Sequence, residues 1–260
     1  MNASTIPPIA VLYGGRSAEA EVSVVSGSAI AAALLGRGAA VTQILVLRNG
    51  SGVLLPDGHE RGGRPAAAYT AADAATELGA GGPRDLGEIL RELRLAAPHM
   101  VAIPALHGPG DEDGAVQALL AAAGINYVGS EPAAAALGMD KPRFKDLAER
   151  IDIPVLPHFV VEAAEWQAGG GRERVVAAIE GFVRRAAPDG ALMGKPAAHG
   201  SSIGMMIART PAEWGEAVDL ALAYGDRAVL EPYLARPREL EVALLEHPDG
   251  SVEAYGPGEV

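Results

Sequence analysis

The chain contains no cysteine. Disulfides, thiolate metal sites and a cysteine nucleophile are therefore excluded, and a reducing cytoplasm is permitted. A basic surface is missing too. The 33 acidic residues outnumber 21 basic ones, for a formal net charge of −12, which argues against a nucleic-acid partner because phosphate backbones need a positive face. The acids are dispersed, so they form no acidic tail. No apolar run approaches the roughly 20 residues that cross a bilayer, so no membrane association is expected. Met1 to Pro8 carries no basic stretch, so no signal peptide is expected and the location read from sequence is cytoplasmic.

What is present is an α/β pattern in a chain of 260 residues, long enough for one to two domains. Ile9 to Tyr13 is an apolar run that stops at Gly14-Gly15, a buried strand with a tight turn. Ser17 is placed to cap the helix that follows, with Glu19 and Glu21 in its first turn and Val22, Val25, Ile30 and Leu34 along it. Val41 to Leu47 reads as the second strand. The third glycine of a dinucleotide fingerprint is absent from Gly14-Gly15-Arg16-Ser17-Ala18-Glu19, which disfavours a nicotinamide cofactor. Arg48 to Pro98 reads as a loop-rich insertion with one helix near Leu86 to Leu95.

Met100 to Leu106 is a third strand. It ends in the polar loop His107 to Gly114, at a strand's carboxyl end, where open α/β sheets bind ligands. Asp113 is placed to cap a helix over Ala115 to Ala123. A fourth strand over Ile125 to Val128 and a helix over Pro132 to Gly138 follow. Asp140-Lys141 opens an amphipathic helix with Phe144, Leu147 and Ala148. Ile151 to Val161 reads as an edge strand or linker broken by Pro154 and Pro157. Helices are expected over Arg172 to Ala187 and Pro211 to Tyr224, and strands over Ala228 to Leu234, Leu240 to Leu245 and Val252 to Tyr255.

The chemistry concentrates in Met193-Gly194-Lys195-Pro196-Ala197-Ala198-His199-Gly200-Ser201-Ser202-Ile203-Gly204-Met205, which reads as strand, loop, strand. Glycines permit close approach, bare amides and two hydroxyls donate, and a lysine supplies a point charge; a polyphosphate wants that set. A plain glycine hairpin with a solvated lysine is the alternative from these residues alone.

Five motifs in order resemble the D-alanine–D-alanine ligase family of the ATP-grasp superfamily. They are Gly14 to Glu19 with Glu21-Val22-Ser23, His107-Gly108 with Glu112-Asp113-Gly114, Met139-Asp140-Lys141, Lys195-Pro196 with Gly200 to Met205, and Glu231 with Arg238-Glu239-Leu240. The resemblance implies an ATP-grasp fold: an N-terminal open α/β sheet domain (1–130), an α+β lid domain (131–230) and the start of a C-terminal sheet domain (231–260). It implies ATP-dependent joining of two D-alanines through an acyl phosphate for peptidoglycan precursors, in the cytoplasm, by a homodimer. By motif, Lys141, Lys195, Ser202 and the amides around it would bind the ATP phosphates, and Ser201 would bond to Glu19. Glu19 would hold the ammonium of the first D-alanine and His107 would approach its carboxylate. Glu231 (main-chain carbonyl) and Leu234 (N–H) would meet adenine, Met205 would line its apolar shell beside Met193, and Glu239 would accept from ribose.

Several positions depart from the family pattern. Ala20, Pro232, Ala118 and Ala121 replace its usual residues, and Gly194 replaces a branched residue, which is expected to loosen its strand. The family's Mg2+ (or Mn2+) ligands, its Tyr and Lys loop and its oxyanion-binding Arg would lie beyond Val260. The expectation is that these 260 residues alone are inactive or nearly so. A D-alanine–D-lactate or D-alanine–D-serine ligase, or a non-catalytic nucleotide- or amino-acid-binding relative, stays open.

Overall fold

The structure, a computed structural model, describes residues 6–55, 81–247 and 249–260. Most of the loop-rich insertion expected after Arg48 lies outside the described residues.

The first unit is a five-stranded sheet in the order β3-β2-β1-β4-β5, with β1 Ile9–Gly14, β2 Val41–Val46, β3 Gly52–Leu54, β4 Val101–Pro104 and β5 Asn126–Tyr127. β1, β2, β4 and β5 run parallel and β3 is antiparallel on one edge. β1 is buried at all six positions, as expected of a central strand covered on both faces. Helix α1 (Ala20–Leu35) covers one face through Val24 and Ala31. α2 (Leu86–Ala96) and α3 (Ala115–Ala122) cover the other through Leu86, Ile89, Leu90, Val116 and Leu120. α4 (Pro132–Met139) follows β5 and buries no residue fully.

The second unit begins with α5 (Lys141–Arg150). It is built on an all-antiparallel sheet in the order β6-β9-β7-β8: β6 Phe159–Glu162, β7 Leu192–Pro196, β8 Met206–Ala208 and β9 Arg227–Pro232. The short α6 (Ala163–Gln167) precedes α7 (Gly171–Ala186). α7 and α8 (Pro211–Leu222) pack on the sheet through Val175, Ile179, Phe182, Trp214, Val218 and Ala221. The chain then forms two narrow ribbons, β10 (Leu240–Glu241) with β13 (Gly258–Glu259) and β11 (Leu244–Glu246) with β12 (Val252–Ala254), all exposed.

Several local expectations are corrected. α1 starts at Ala20 with Glu19 as its N-cap, because the Ser17 hydroxyl is engaged in a turn of its own. Val22 and Val25 are exposed; the buried stripe is Ala20, Ser23, Val24, Gly27 and Ala31, whose small residues let α1 lie against β1. Gly114, at φ 92, is the N-cap of α3, and Asp113 instead accepts from Gly110 N and Ala115 N. Phe144 and Leu147 are exposed and Ala148 is buried, so α5 seats through its small residue. The reading of Ile151 to Val161 holds, by contrast: the stretch before Phe159 is linker, since Pro154 and Pro157 deny a ladder two donors, and β6 after it is an edge strand of its sheet. Strand β3 and helix α6 had no sequence signal strong enough to place them.

Gly194 does not loosen its strand. It pairs with Met206 on one side and Leu230 on the other. A Cβ there would stand 2.8 Å from Ala217 Cβ, so the glycine lets α8 approach the sheet closely.

Candidate functional site

The β7–β8 hairpin loop sits between the two units and is held from both. Ala197, buried at its root, donates to Arg227 O (3.0 Å) and accepts from Lys141 N (3.0 Å), which fixes the first turn of α5 against the loop. Asp140 caps that turn by accepting from Arg143 N (3.2 Å). Arg227 of β9 grips the same carboxylate, at 2.7 Å through Nη2 and 3.3 Å through Nη1. Burial raises the Asp140 carboxyl, but the Arg227 fork, the Arg143 amide and both guanidinium charges outweigh it and hold the group below its ordinary value.

Lys141, so placed, donates through Nζ to His199 O of the loop. Burial and the neighbouring Lys195 charge push its ammonium below the ordinary lysine value, against the pull of Glu231 and Asp140. Two residues on, Ser201 (φ 51) and Ser202 (φ 58) are both left-handed, a conformation that costs non-glycine residues free energy and recurs at ligand clamps. The Ser201 hydroxyl donates to Glu19 Oε1 of the first unit. A Cβ on Gly200 would meet no protein atom within 4 Å, so that side of the loop is open.

Below the loop lies a cationic cluster around one buried acid. Glu231 is 4% exposed. Lys195 of β7 reaches its Oε2 at 2.5 Å and Lys145 of α5 its Oε1 at 2.6 Å. Burial pushes the Glu231 carboxyl up, but the two lysines together hold it below its ordinary value. Two lysines thus share one carboxylate, with the Lys141 ammonium close to both Lys195 and Glu231, an arrangement with positive charge to spare that suits a polyanion. Lys145 was not singled out from sequence. Its signal was present: it lies four residues after Lys141 and so on the same helical face.

The amino-terminal half of the site is the meeting of two loops at the carboxyl ends of β1 and β4. Ser17 Oγ donates to His107 O and accepts from Glu19 N (3.0 Å), and Arg48 donates to Ser17 O. Glu19 Oε2 is buried without a hydrogen-bond donor, and a Cβ on Gly108 would stand 2.7 Å from it. An unsatisfied buried carboxylate oxygen is what an ammonium group would complete. His107 faces Glu112 Oε1 (3.4 Å) through Nδ1 and Ser26 Oγ (3.4 Å) through Nε2.

The structure therefore brings Glu19, Ser201, Lys141, Lys195 and Glu231 into one linked constellation. Ser202 is exposed beside Ser201, and Met205 is half-buried where the loop re-enters β8. Leu234 and Glu239 lie on the exposed segment after β9, and the main-chain carbonyl of Glu239 accepts from Val260 N (3.1 Å). Among the described residues no group of three or more His, Cys, Asp or Glu side chains could hold a metal ion. The described residues thus offer no donor set that fits a metal.

The comparisons agree with this architecture. The family model for the D-ala D-ala ligase N-terminus matches residues 8–130, and that for the D-ala D-ala ligase C-terminus matches residues 147–260. A D-alanine--D-alanine ligase of Methylobacterium sp. (strain 4-46) is 35% identical over 252 residues, covering 97% of this chain and 63% of that protein. One of Mycolicibacterium gilvum (strain PYR-GCK) is 36% identical, covering 97% and 67%. The chain thus spans about two thirds of the length of these relatives, and a little less of the first. The solved D-alanine-D-alanine ligase from Coxiella burnetii superposes with a TM-score of 0.77 at 26% identity, over 98% of this chain and 71% of that one. The VanG D-Ala:D-Ser ligase from Enterococcus faecalis, at 22% identity and TM-score 0.70 over 97% and 69%, shares the fold. No helix among the described residues is long and apolar enough to cross a membrane. The chain belongs to the D-alanine–D-alanine ligase family and has its ATP-grasp fold.

Proposed function

We propose that this chain carries the nucleotide-phosphate site and the first amino-acid site of an ATP-dependent D-alanine–D-alanine ligase, serving peptidoglycan precursor synthesis in the cytoplasm. The carrying observation is the Ser201–Glu19 hydrogen bond across 182 residues of sequence. It ties the phosphate-type loop to an acid of the first unit whose second oxygen, Oε2, is a buried acceptor without a donor.

In this reading ATP lies over the second sheet. Lys141 and Lys195 neutralise its phosphates, Ser202 and the loop amides donate to them, and Met205 packs on the adenine. The Glu231 carbonyl and Leu234 N–H meet the adenine edge, and Glu239 accepts from the ribose. The ammonium of the first D-alanine binds Glu19, and His107 approaches its carboxylate. That carboxylate attacks the γ-phosphorus and ADP leaves. The amine of the second D-alanine then attacks the acyl carbon, displacing inorganic phosphate and giving up a proton as the amide forms. The residues named act by positioning and by charge neutralisation.

Titration calorimetry tests the reading. ATP should bind the chain, and Lys141→Met should weaken it about 10- to 100-fold, or ~1.4–2.8 kcal/mol. Lys141 is the suitable site because its acceptor in the free protein is a loop carbonyl, whereas Lys195 neutralises a buried acid. D-alanine binding should be lost in Glu19→Gln. Undetectable ATP binding, or an affinity indifferent to Lys141, overturns the proposal.

A further inference from the structure

Asp111 has no part in the function above, yet it is 2% exposed. It sits in the loop after β4, where its N–H donates to Gly108 O (3.1 Å). Its carboxylate lies under the loop between β1 and α1. Gly15 there has φ +102, and a Cβ on it would stand 2.3 Å from Asp111 Oδ2 and 3.2 Å from Oδ1. The main-chain amides of Arg16 and Ser17 face the same carboxylate. Oδ2 is buried and lacks a well-formed hydrogen bond, so the group is held by burial and by oriented amides and not by a counter-ion.

The residues above it lead directly to the site. Ser17 donates to His107 O, accepts from Glu19 N, and receives Arg48 on its own carbonyl. Glu19 is two residues further and carries the Ser201 contact. A displacement of the Arg16–Ser17 main chain therefore moves the Glu19 carboxylate.

We propose that Asp111 is a positioning residue: its carboxylate seats the Gly15–Ser17 main chain and thereby sets the place of Glu19, and a proton gained by Asp111 loosens that seat. The ionised carboxylate attracts the two amides. The neutral acid attracts them less, and its O–H would be a donor facing donors.

The charges around the group make the change fall in an accessible range. Burial raises the Asp111 carboxyl to about 6. The amides of Arg16 and Ser17 and the Arg16 charge oppose that rise, and Asp113 of its own loop adds to it. Glu19, whose Oε2 lies against Gly108, and the His107–Glu112 pair are the other titratable groups of the same loop junction. The consequence for amino-acid binding rests on Glu19 being the ammonium acceptor; the seat itself does not.

The test is a pH titration of the backbone amide resonances of the ligand-free chain. The Arg16 and Ser17 amides should move through one transition with a midpoint at about 6, and Glu19 should follow. In Asp111→Asn that transition should vanish. D-alanine affinity should fall and lose its dependence on pH between 5 and 8. Should Asp111→Asn fail to fold, Asp113→Asn keeps the seat and removes a neighbouring anion, so the midpoint should move down. Amides that do not titrate, that titrate unchanged in Asp111→Asn, or whose midpoint ignores Asp113→Asn overturn the proposal. The resonances need no ligand. If they titrate as expected and D-alanine does not bind, the assignment of Glu19 fails and the seat stands.

Discussion

Glu231→Gln tests the electrostatic reasoning most severely, because it should lower stability while raising affinity for polyphosphate. In the native chain Lys145 and Lys195 contact the carboxylate at 2.6 and 2.5 Å, with side chains only 13% and 17% exposed. At an effective dielectric of about 20, a unit pair whose charge centres lie ~4 Å apart gains about 4 kcal/mol. Desolvation of the three groups cancels a large part of two such contacts. Removing the shared anion leaves that desolvation uncompensated and sets two half-buried ammoniums against each other. The expected loss is about 3–5 kcal/mol in urea unfolding at pH 7, the range for breaking a buried pair by deleting one partner. The pH dependence fixes the cause. The folded value for Glu231 is lowered, so its stabilisation is present above the unfolded carboxylate value and is lost as pH falls through the folded one. The deficit of the variant should therefore be full at pH 7 and close in strong acid. ATP should bind more tightly, since Lys195 no longer has to be drawn from an internal partner. A loss below about 1 kcal/mol, or a deficit constant down to pH 3, would show that the lysines do not depend on this carboxylate.

Four further changes probe separate links. Gly194→Val should cost about 2–3 kcal/mol in thermal or urea unfolding, because its Cβ would start 2.8 Å from Ala217 Cβ across a fully packed helix–sheet contact. Gly27→Ala sets two effects against each other. Helix propensity favours alanine by about 1 kcal/mol, but its Cβ would stand 2.3 Å from Tyr13 Cβ, and the clash should win by about 2 kcal/mol. Arg227→Met should cost about 2–3 kcal/mol and speed amide exchange in the first turn of α5, because Asp140 stays buried without its guanidinium. For Asp111, whose folded value is raised from 3.8 to about 6, stability is full below the unfolded value and is lost as pH rises through the folded one. Raising pH from 4 to 8 should therefore cost the parent chain up to ~3 kcal/mol more than Asp111→Asn in urea unfolding.

The parts of the fold legible from sequence are those where one local signal dominates. The apolar run Ile9 to Tyr13 became a strand buried at every position, and the alternation of strands and helices became a parallel sheet covered on both faces. The illegible parts are those where long-range contact decides. Ser17 has the chemistry of an N-cap, but a carbonyl 90 residues away claims its hydroxyl and moves the cap to Glu19. The valines of α1 suggest the wrong face because the helix seats through Gly27 and Ala31, where size matters more than hydropathy. At the site, lysine and serine types were readable from motif order. Their partners were not: that Lys195 and Lys145 share Glu231, or that Asp111 lies under Gly15, depends on strand register and loop approach.

Those partners change what binding means here. Neither Lys141 nor Lys195 is an idle cation in the free protein: one is spent on His199 O and the other on Glu231. A polyphosphate must therefore exchange against internal acceptors, and its net gain is the difference between two hydrogen-bonded states. The exchange is lopsided. When Lys141 turns to a phosphate it frees the carbonyl of the very loop whose next residues, Ser201 and Ser202, are held in the costly left-handed region. That loop is then restrained at its tip mainly by Ser201 on Glu19. An ammonium arriving at Glu19 competes for the same carboxylate. Nucleotide and amino acid each act on a contact that holds the one loop, so by linkage each must alter the affinity of the other by the same factor. Calorimetric titration of ATP with and without saturating D-alanine measures that factor, and Ser201→Ala should bring it close to one. A factor that differs from one and survives in Ser201→Ala would place the coupling elsewhere than in this loop.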